Sequence, residues 1–147
     1  MTNPTRSPDP ALGLGQNNLL AVKEGLIPRD AVIVEEGAGC GAHTLELSRQ
    51  YDQGQIHAFE ADPAHAEFLD ILTLTSHNVS VYPYGLSDRL RPAYAGPGGI
   101  TMVPLDYVAG GWPRLDLIII RNQHKKDAIL KGAEATIKRL NPTIILQ

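Results

Sequence analysis

The stretch Val32-Ile33-Val34-Glu35-Glu36-Gly37-Ala38-Gly39-Cys40-Gly41 constrains this chain more than any other. An apolar run ends on acidic residues and passes into a loop with glycine at alternate positions. From Ala42 to about Tyr51 the residues suit a helix. Strand, glycine turn, helix is the order by which doubly wound α/β domains bring their backbone up to a nucleotide-like ligand at the carboxyl end of the first strand. A side chain at such glycines would clash with the ligand or forbid the φ > 0 turn. The same residues also suit a plain tight turn, so the rest of the chain has to decide.

That remainder alternates between extended and helical patterns. Strands are expected over Ala31–Val34, Gln55–Phe59, Val79–Tyr82, Leu115–Ile120 and Thr143–Leu146. Leu115–Ile120 is almost unbroken apolar sequence, as a central parallel strand covered on both faces requires. A weak helical pattern from Leu14 to Glu24 is closed by Gly25. Pro63 opens a helix to about Thr75. A helical turn is expected over Leu105–Val108. One further helix runs from near Asp127 to Leu140, with the stripe Ile129, Leu130, Ala133, Ile137 and Leu140, and Asn141-Pro142 ends it. Arg89–Gly99 reads as a loop rich in proline and glycine, and Ile100–Val103 as a short extended piece. The expected fold is α/β, a doubly wound, mostly parallel five-stranded sheet with helices on both faces and right-handed crossovers. Its ligand crevice would lie at the carboxyl ends, where strand order reverses. Residues 1–13, with Pro4, Pro8 and Pro10, read as an extended arm, and 14–147 as a single α/β domain.

Composition narrows the function classes. Of 147 residues, 43% are hydrophobic and 20% charged, enough apolar material for a packed core. The net charge of -3 argues against nucleic acid or an anionic membrane as partner of the whole chain. The lone Cys40 allows no internal disulfide and no cysteine-based zinc site, and the five histidines have no metal-ligand spacing, so no metal is expected. The sequence shows neither a signal pattern nor a membrane-length apolar run, so the default expectation is a cytoplasmic protein.

Glu60 closes the second strand about 20 residues past the glycine loop, where a carboxylate accepts hydrogen bonds from ribose hydroxyls. The alternative is an exposed strand-end glutamate. After the third strand, Ser87 or Asp88 could hold an adenine amino group, or simply form a turn with a Ser/Asp cap.

The glycine spacing is not that of the dinucleotide fingerprint, whose third glycine comes one step later. Glu35-x-Gly37-x-Gly39-x-Gly41 resembles instead the S-adenosylmethionine (SAM) loop of class I methyltransferases. From Pro28 to the C-terminus the chain resembles the FkbM-type SAM-dependent methyltransferases. Pro28 to Gly41 is similar to that family's opening turn, strand and loop. Phe59-Glu60-Ala61-Asp62-Pro63 is similar to its second strand end, and Leu86-Ser87-Asp88 to its sequence after strand three. Leu105-Asp106, Ile129 to Glu134 and Asn141 to Leu146 match later segments. The resemblance implies SAM as cofactor and a small hydroxylated acceptor. It places Glu35 near the methionine end, Gly37, Ala38, Gly39 and Gly41 along the cofactor, and Glu60 at the ribose; Ala61, beside Glu60, and Ser87 and Asp88, by their place after strand three, are the further cofactor-binding candidates.

Three departures stand against this. The family's strand-four signature, lysine-isoleucine-aspartate-x-glutamate-glycine, is replaced by Ile119-Ile120-Arg121-Asn122-Gln123-His124, so both carboxylates of the methyl-transfer side are gone and no catalytic residue is assigned. The segment after strand three is short. The sequence stops just after the fifth strand, lacking the last two strands of a class I methyltransferase, which leaves the Thr143–Leu146 edge for a protein partner to cover. Arg121, His124, Lys125 and Lys126 read first as a solvated loop, and second as a site for an anionic partner. Two readings follow: an active methyltransferase, or a degenerate methyltransferase fold serving as a structural or binding subunit of a larger assembly.

Overall fold

A computed structural model of the chain describes residues 25–93 and 99–147. The expected arm over 1–13 and helix over 14–24 lie outside the described residues. The elements in order are β1 (Val32–Glu36), α1 (Ala42–Gln50), β2 (Gln55–Phe59), α2 (Pro63–Leu72), β3 (Val79–Tyr82), β4 (Gly85–Leu86), β5 (Arg91–Ala93), β6 (Ile100–Val103), α3 (Leu105–Ala109), β7 (Leu117–Ile120), α4 (Lys126–Gly132), α5 (Glu134–Leu140) and β8 (Thr143–Leu146).

Five strands form one parallel sheet in the order β3-β2-β1-β7-β8. Alternation along the strands sorts their side chains into two cores. Ile33, Ile56, Leu117 and Ile119 face α1 through Leu47 and Tyr51. Val34, Phe59, Ile118 and Ile120 face the other way, toward Leu105, Ile129 and Ala133 of α3 to α5. The sheet is therefore covered on both sides, which is why β7 is apolar at every position. The chain runs outward from β1 to β3 and returns as β7 beside β1, so strand order reverses between β1 and β7.

Three differences from the sequence-based expectation have local causes. Arg91–Ala93, expected as loop, forms a strand antiparallel to β6, and β4 pairs parallel to β6, giving a second, three-stranded sheet. β1 runs on to Glu36, because the ladders to β2 and β7 continue through Phe59 and Ile120. The helix expected from Asp127 to Leu140 is broken at Ala133 into α4 and α5. Asp106 explains the break: its carboxylate accepts from the backbone N–H groups of Ala135 and Thr136 at 3.1 and 2.8 Å, and from the Thr136 hydroxyl at 2.7 Å. That is an N-terminal cap supplied from α3 rather than from the helix itself.

Candidate functional site at the carboxyl ends of β1, β2 and β7

The loop after β1 is held by its own backbone. Gly37, Gly39 and Gly41 have φ of 76°, 59° and 92°, the left-handed region that favours glycine. The N–H groups of Gly37 and Ala38 both donate to the carbonyl of Phe59, at 3.0 and 3.1 Å, and Gly41 donates to Ala38. Gly39 donates to Glu60 Oε2 at 2.6 Å, and the other oxygen of Glu60 accepts from Asp62 N–H at 2.8 Å. Four loop amides are thus turned inward, and the loop offers little to a phosphate, whose binding depends on backbone N–H groups aimed at the ligand. Ala38 packs its side chain into a small core with Ala58 and Leu69.

Over this loop lies a hollow of about 510 Å³, lined by Glu36, Gly37, Phe59, Glu60, Ala61, Gly85, Arg121, Asn122, Gln123, His124 and Gln147. It sits at the carboxyl ends of β1, β2, β7 and β8, across the point where strand order reverses, as expected for this class of sheet. Of the residues assigned to the cofactor from sequence, Gly37, Glu60 and Ala61 line it; of the basic group, Arg121 and His124 line it too. Gly39 and Gly41 build the loop beneath it. Ser87 and Asp88 are not on the lining: the Ser87 hydroxyl donates to Asp88 Oδ1 at 3.2 Å, and Asp88 pairs with Arg89.

Glu35 is 0% exposed and does not line the hollow either. Its Oε2 accepts from the Thr44 hydroxyl at 2.6 Å, and its Oε1 from Nε and Nη2 of Arg121 at 3.2 and 2.9 Å. Burial pushes its carboxyl upward, while the Thr44 hydrogen bond and the Arg121 charge pull it back. Arg121 also donates through Nη1 to Gln147 Oε1 at 2.8 Å. Its side chain is 18% exposed and ion-paired, so its first reading as part of a solvated loop is corrected. His124, Lys125 and Lys126 are exposed, as that reading has them.

Glu36 is the residue that the loop pattern did not single out. It is 7% exposed, lines the hollow, and accepts from Asn122 N–H at 3.2 Å. Burial raises its carboxyl, backbone N–H groups at Asn122 and Arg121 lower it, and the neighbouring Glu60 charge raises it further. A signal was present in the sequence: two consecutive acids close a buried strand where the loop pattern asks for one. The hollow thus presents two carboxylates, Glu36 and Glu60, on its lining, while the positive charge of Arg121 is balanced by Glu35 behind it.

No protein-family model matches the chain, and no curated protein matches it in sequence. Solved structures do match in shape. The precorrin-6y C5,15-methyltransferase from Geobacter metallireducens aligns with a TM-score of 0.57 at 19% identity, over 97% of this chain and 67% of that one. The plantazolicin methyltransferase in complex with SAH aligns at 0.56 and 11% identity, over 86% and 43%. A SAM dependent methyltransferase from Aquifex aeolicus aligns at 0.51 and 19% identity, over 90% and 62%. The chain spans 50% of the matched chain of a fibrillarin/Nop5p complex and 33% of coclaurine N-methyltransferase. The fold is that of the class I SAM-dependent methyltransferases.

Proposed function

We propose that the hollow binds S-adenosylmethionine and that the chain is a divergent FkbM-type methyltransferase domain acting on a hydroxyl group of a small molecule. The observation that carries this reading is the chemistry of the lining: two carboxylates, a loop whose amides are turned inward, and no unbalanced cation on the loop. Such a lining suits a ligand that brings positive charge and hydroxyl donors, and it disfavours a pyrophosphate. SAM has that character, so the residues present fit it. Glu60 would accept from the ribose hydroxyls through lone pairs that its two backbone amides leave over. Ala61, Phe59 and Gly85 would border the base.

When bound, SAM supplies an electrophilic methyl group on a sulfonium. The chain's own contribution would be to hold the acceptor oxygen in line with that methyl, a proximity effect. Asn122 and His124, in the segment after β7 and on the hollow's lining, would orient it.

A second reading, a degenerate fold used as a binding subunit, is favoured by one observation. The β7 end carries Arg121 locked to Glu35 where the resemblance expects carboxylates. In that case β8, Thr143–Leu146, the last strand of the sheet among the described residues, would be the contact for a protein partner.

Thermal denaturation tests the first reading. SAM at millimolar concentration is expected to raise the melting temperature by mass action, and NAD is not. A shift with NAD and none with SAM would overturn it. A SAM shift without methyl transfer to any of a panel of hydroxyl compounds would favour the binding subunit.

A further inference from the structure

Granted the ligand proposed above, its zwitterionic amino-acid tail needs an acceptor for the ammonium and a donor for the carboxylate. The order of the loop offers Glu35 as the acceptor. That carboxylate is fully buried behind the hollow, with Thr44 on one oxygen and Arg121 on the other. An incoming ammonium would have to displace the guanidinium to reach it.

The next residue along the strand is placed differently. Alternation turns Glu36 to the opposite face from Glu35, onto the lining of the hollow. Arg121 stands at the same corner: its backbone N–H donates to the Glu36 carbonyl at 3.3 Å, and its Cβ lies 3.3 Å from where a Cβ on Gly37 would sit. The guanidinium has five N–H groups. Two meet Glu35 and one meets Gln147, which leaves two without a partner among the described residues. A buried acceptor and a fixed, partly open donor therefore share one corner, and Glu60 occupies the corner at the end of β2.

We propose that Glu36 and Arg121 grip the amino-acid end of the ligand, Glu36 accepting from its ammonium and Arg121 donating to its carboxylate, while Glu35 serves as the buried anchor of Arg121. The two acids at the strand end then have separate tasks. Glu35 positions a cation, and Glu36 touches the ligand. An ammonium beside Glu36 also compensates the burial that pushes this carboxyl upward. The proposal rests on the SAM reading and goes beyond it by naming the residues that read the tail.

Calorimetric titration of the full chain with SAM and with 5′-methylthioadenosine, which shares the nucleoside and lacks the tail, separates the two claims. Glu36→Gln removes a charge without changing shape and relieves a buried carboxylate, so the variant is expected to fold. It should weaken SAM by about tenfold or more, the scale of a charge-assisted hydrogen bond, and change methylthioadenosine by less than about twofold. Glu35→Gln keeps its amide oxygen as acceptor for Arg121 and can donate its NH2 to the Thr44 hydroxyl, and should weaken SAM less than Glu36→Gln does, consistent with a residue that acts only through Arg121. If Glu35→Gln loses SAM and Glu36→Gln does not, the assignment is overturned. Equal loss of both ligands in Glu36→Gln overturns it too. Wild-type chain that binds neither ligand would overturn the SAM reading itself, and this inference with it.

Discussion

At the scale of single residues, the chemistry of this domain is set by charged groups placed where water is scarce. Glu35 is fully buried, and the hydrogen bond from Thr44 and the charge of Arg121 work against the upward push that burial gives its carboxyl. Removing one partner of such a pair leaves an uncompensated buried charge, which costs more than the pair contributes. Arg121→Ala is therefore expected to destabilise the fold by about 3 kcal/mol in urea denaturation at neutral pH. The deficit should shrink as pH falls, because a Glu35 without its partner can take a proton. An unchanged denaturation midpoint would contradict the buried pair. His57 gives a second residue-scale prediction. It stacks on Trp112 with ring centroids 3.9 Å apart, and its Nδ1 lies 2.9 Å from the Tyr82 hydroxyl. Burial pushes its pKa down to about 4. The unfolded chain then binds the proton first, so stability is full above the unfolded histidine value near 6.5 and declines as pH falls toward 4. The loss is on the order of 2 kcal/mol, and His57→Phe should remove most of that slope between pH 6.5 and 4. An equal slope in the variant would assign the pH dependence elsewhere.

At the scale of elements, capping and register decide what sequence patterns leave open. Asp106 takes three donors from the start of α5. Asp106→Ala should cost about 1–2 kcal/mol by chemical denaturation, and Asp106→Asn clearly less; equal losses would mean the carboxylate is not acting as a cap. This contact also explains why a single helix was expected there: the apolar stripe from Ile129 to Leu140 runs across the break, and the group that caps α5 lies 29 positions earlier than Ala135. The main sheet was legible because each strand carries its own apolar run between turn residues, and β7 shows its central position by having no polar face. The glycine loop was legible because left-handed backbone dictates residue type at Gly37, Gly39 and Gly41, and Glu60 stood out as a carboxylate at the end of the second strand. Glu36 and the Arg121 contact were not, because their meaning depends on the ladder between β1 and β7. Parallel pairing sets Glu36 beside Ile120 and so brings Arg121 over the loop, a relation between positions far apart in sequence. Ser87 and Asp88 were named from chain order alone, and packing keeps them off the lining.

At the scale of the whole molecule, a doubly wound sheet places its hollow where strand order reverses, and the side chains there determine what the hollow suits. None of the described helices is long and apolar enough to cross a membrane. β8 pairs with β7 on one side, and Ile144 and Leu146 on it are 36% and 37% exposed. Among the described residues β8 is the last strand of the sheet; if it serves as a partner contact, Ile144→Lys is expected to lower concentration-dependent association in light scattering. A wild-type chain that stays monomeric across the concentration range would count against an assembly role for this edge. The central claim is that the hollow over Gly37, with Glu36 and Glu60 on its wall, takes SAM. Amide chemical-shift mapping on an isotopically labelled chain tests it most directly. The account predicts that SAM shifts resonances concentrated at Gly37, Ala61, Gly85 and Asn122, around the lining of that hollow. Saturating SAM that leaves those amides unmoved, or moves a different face of the sheet, would contradict it.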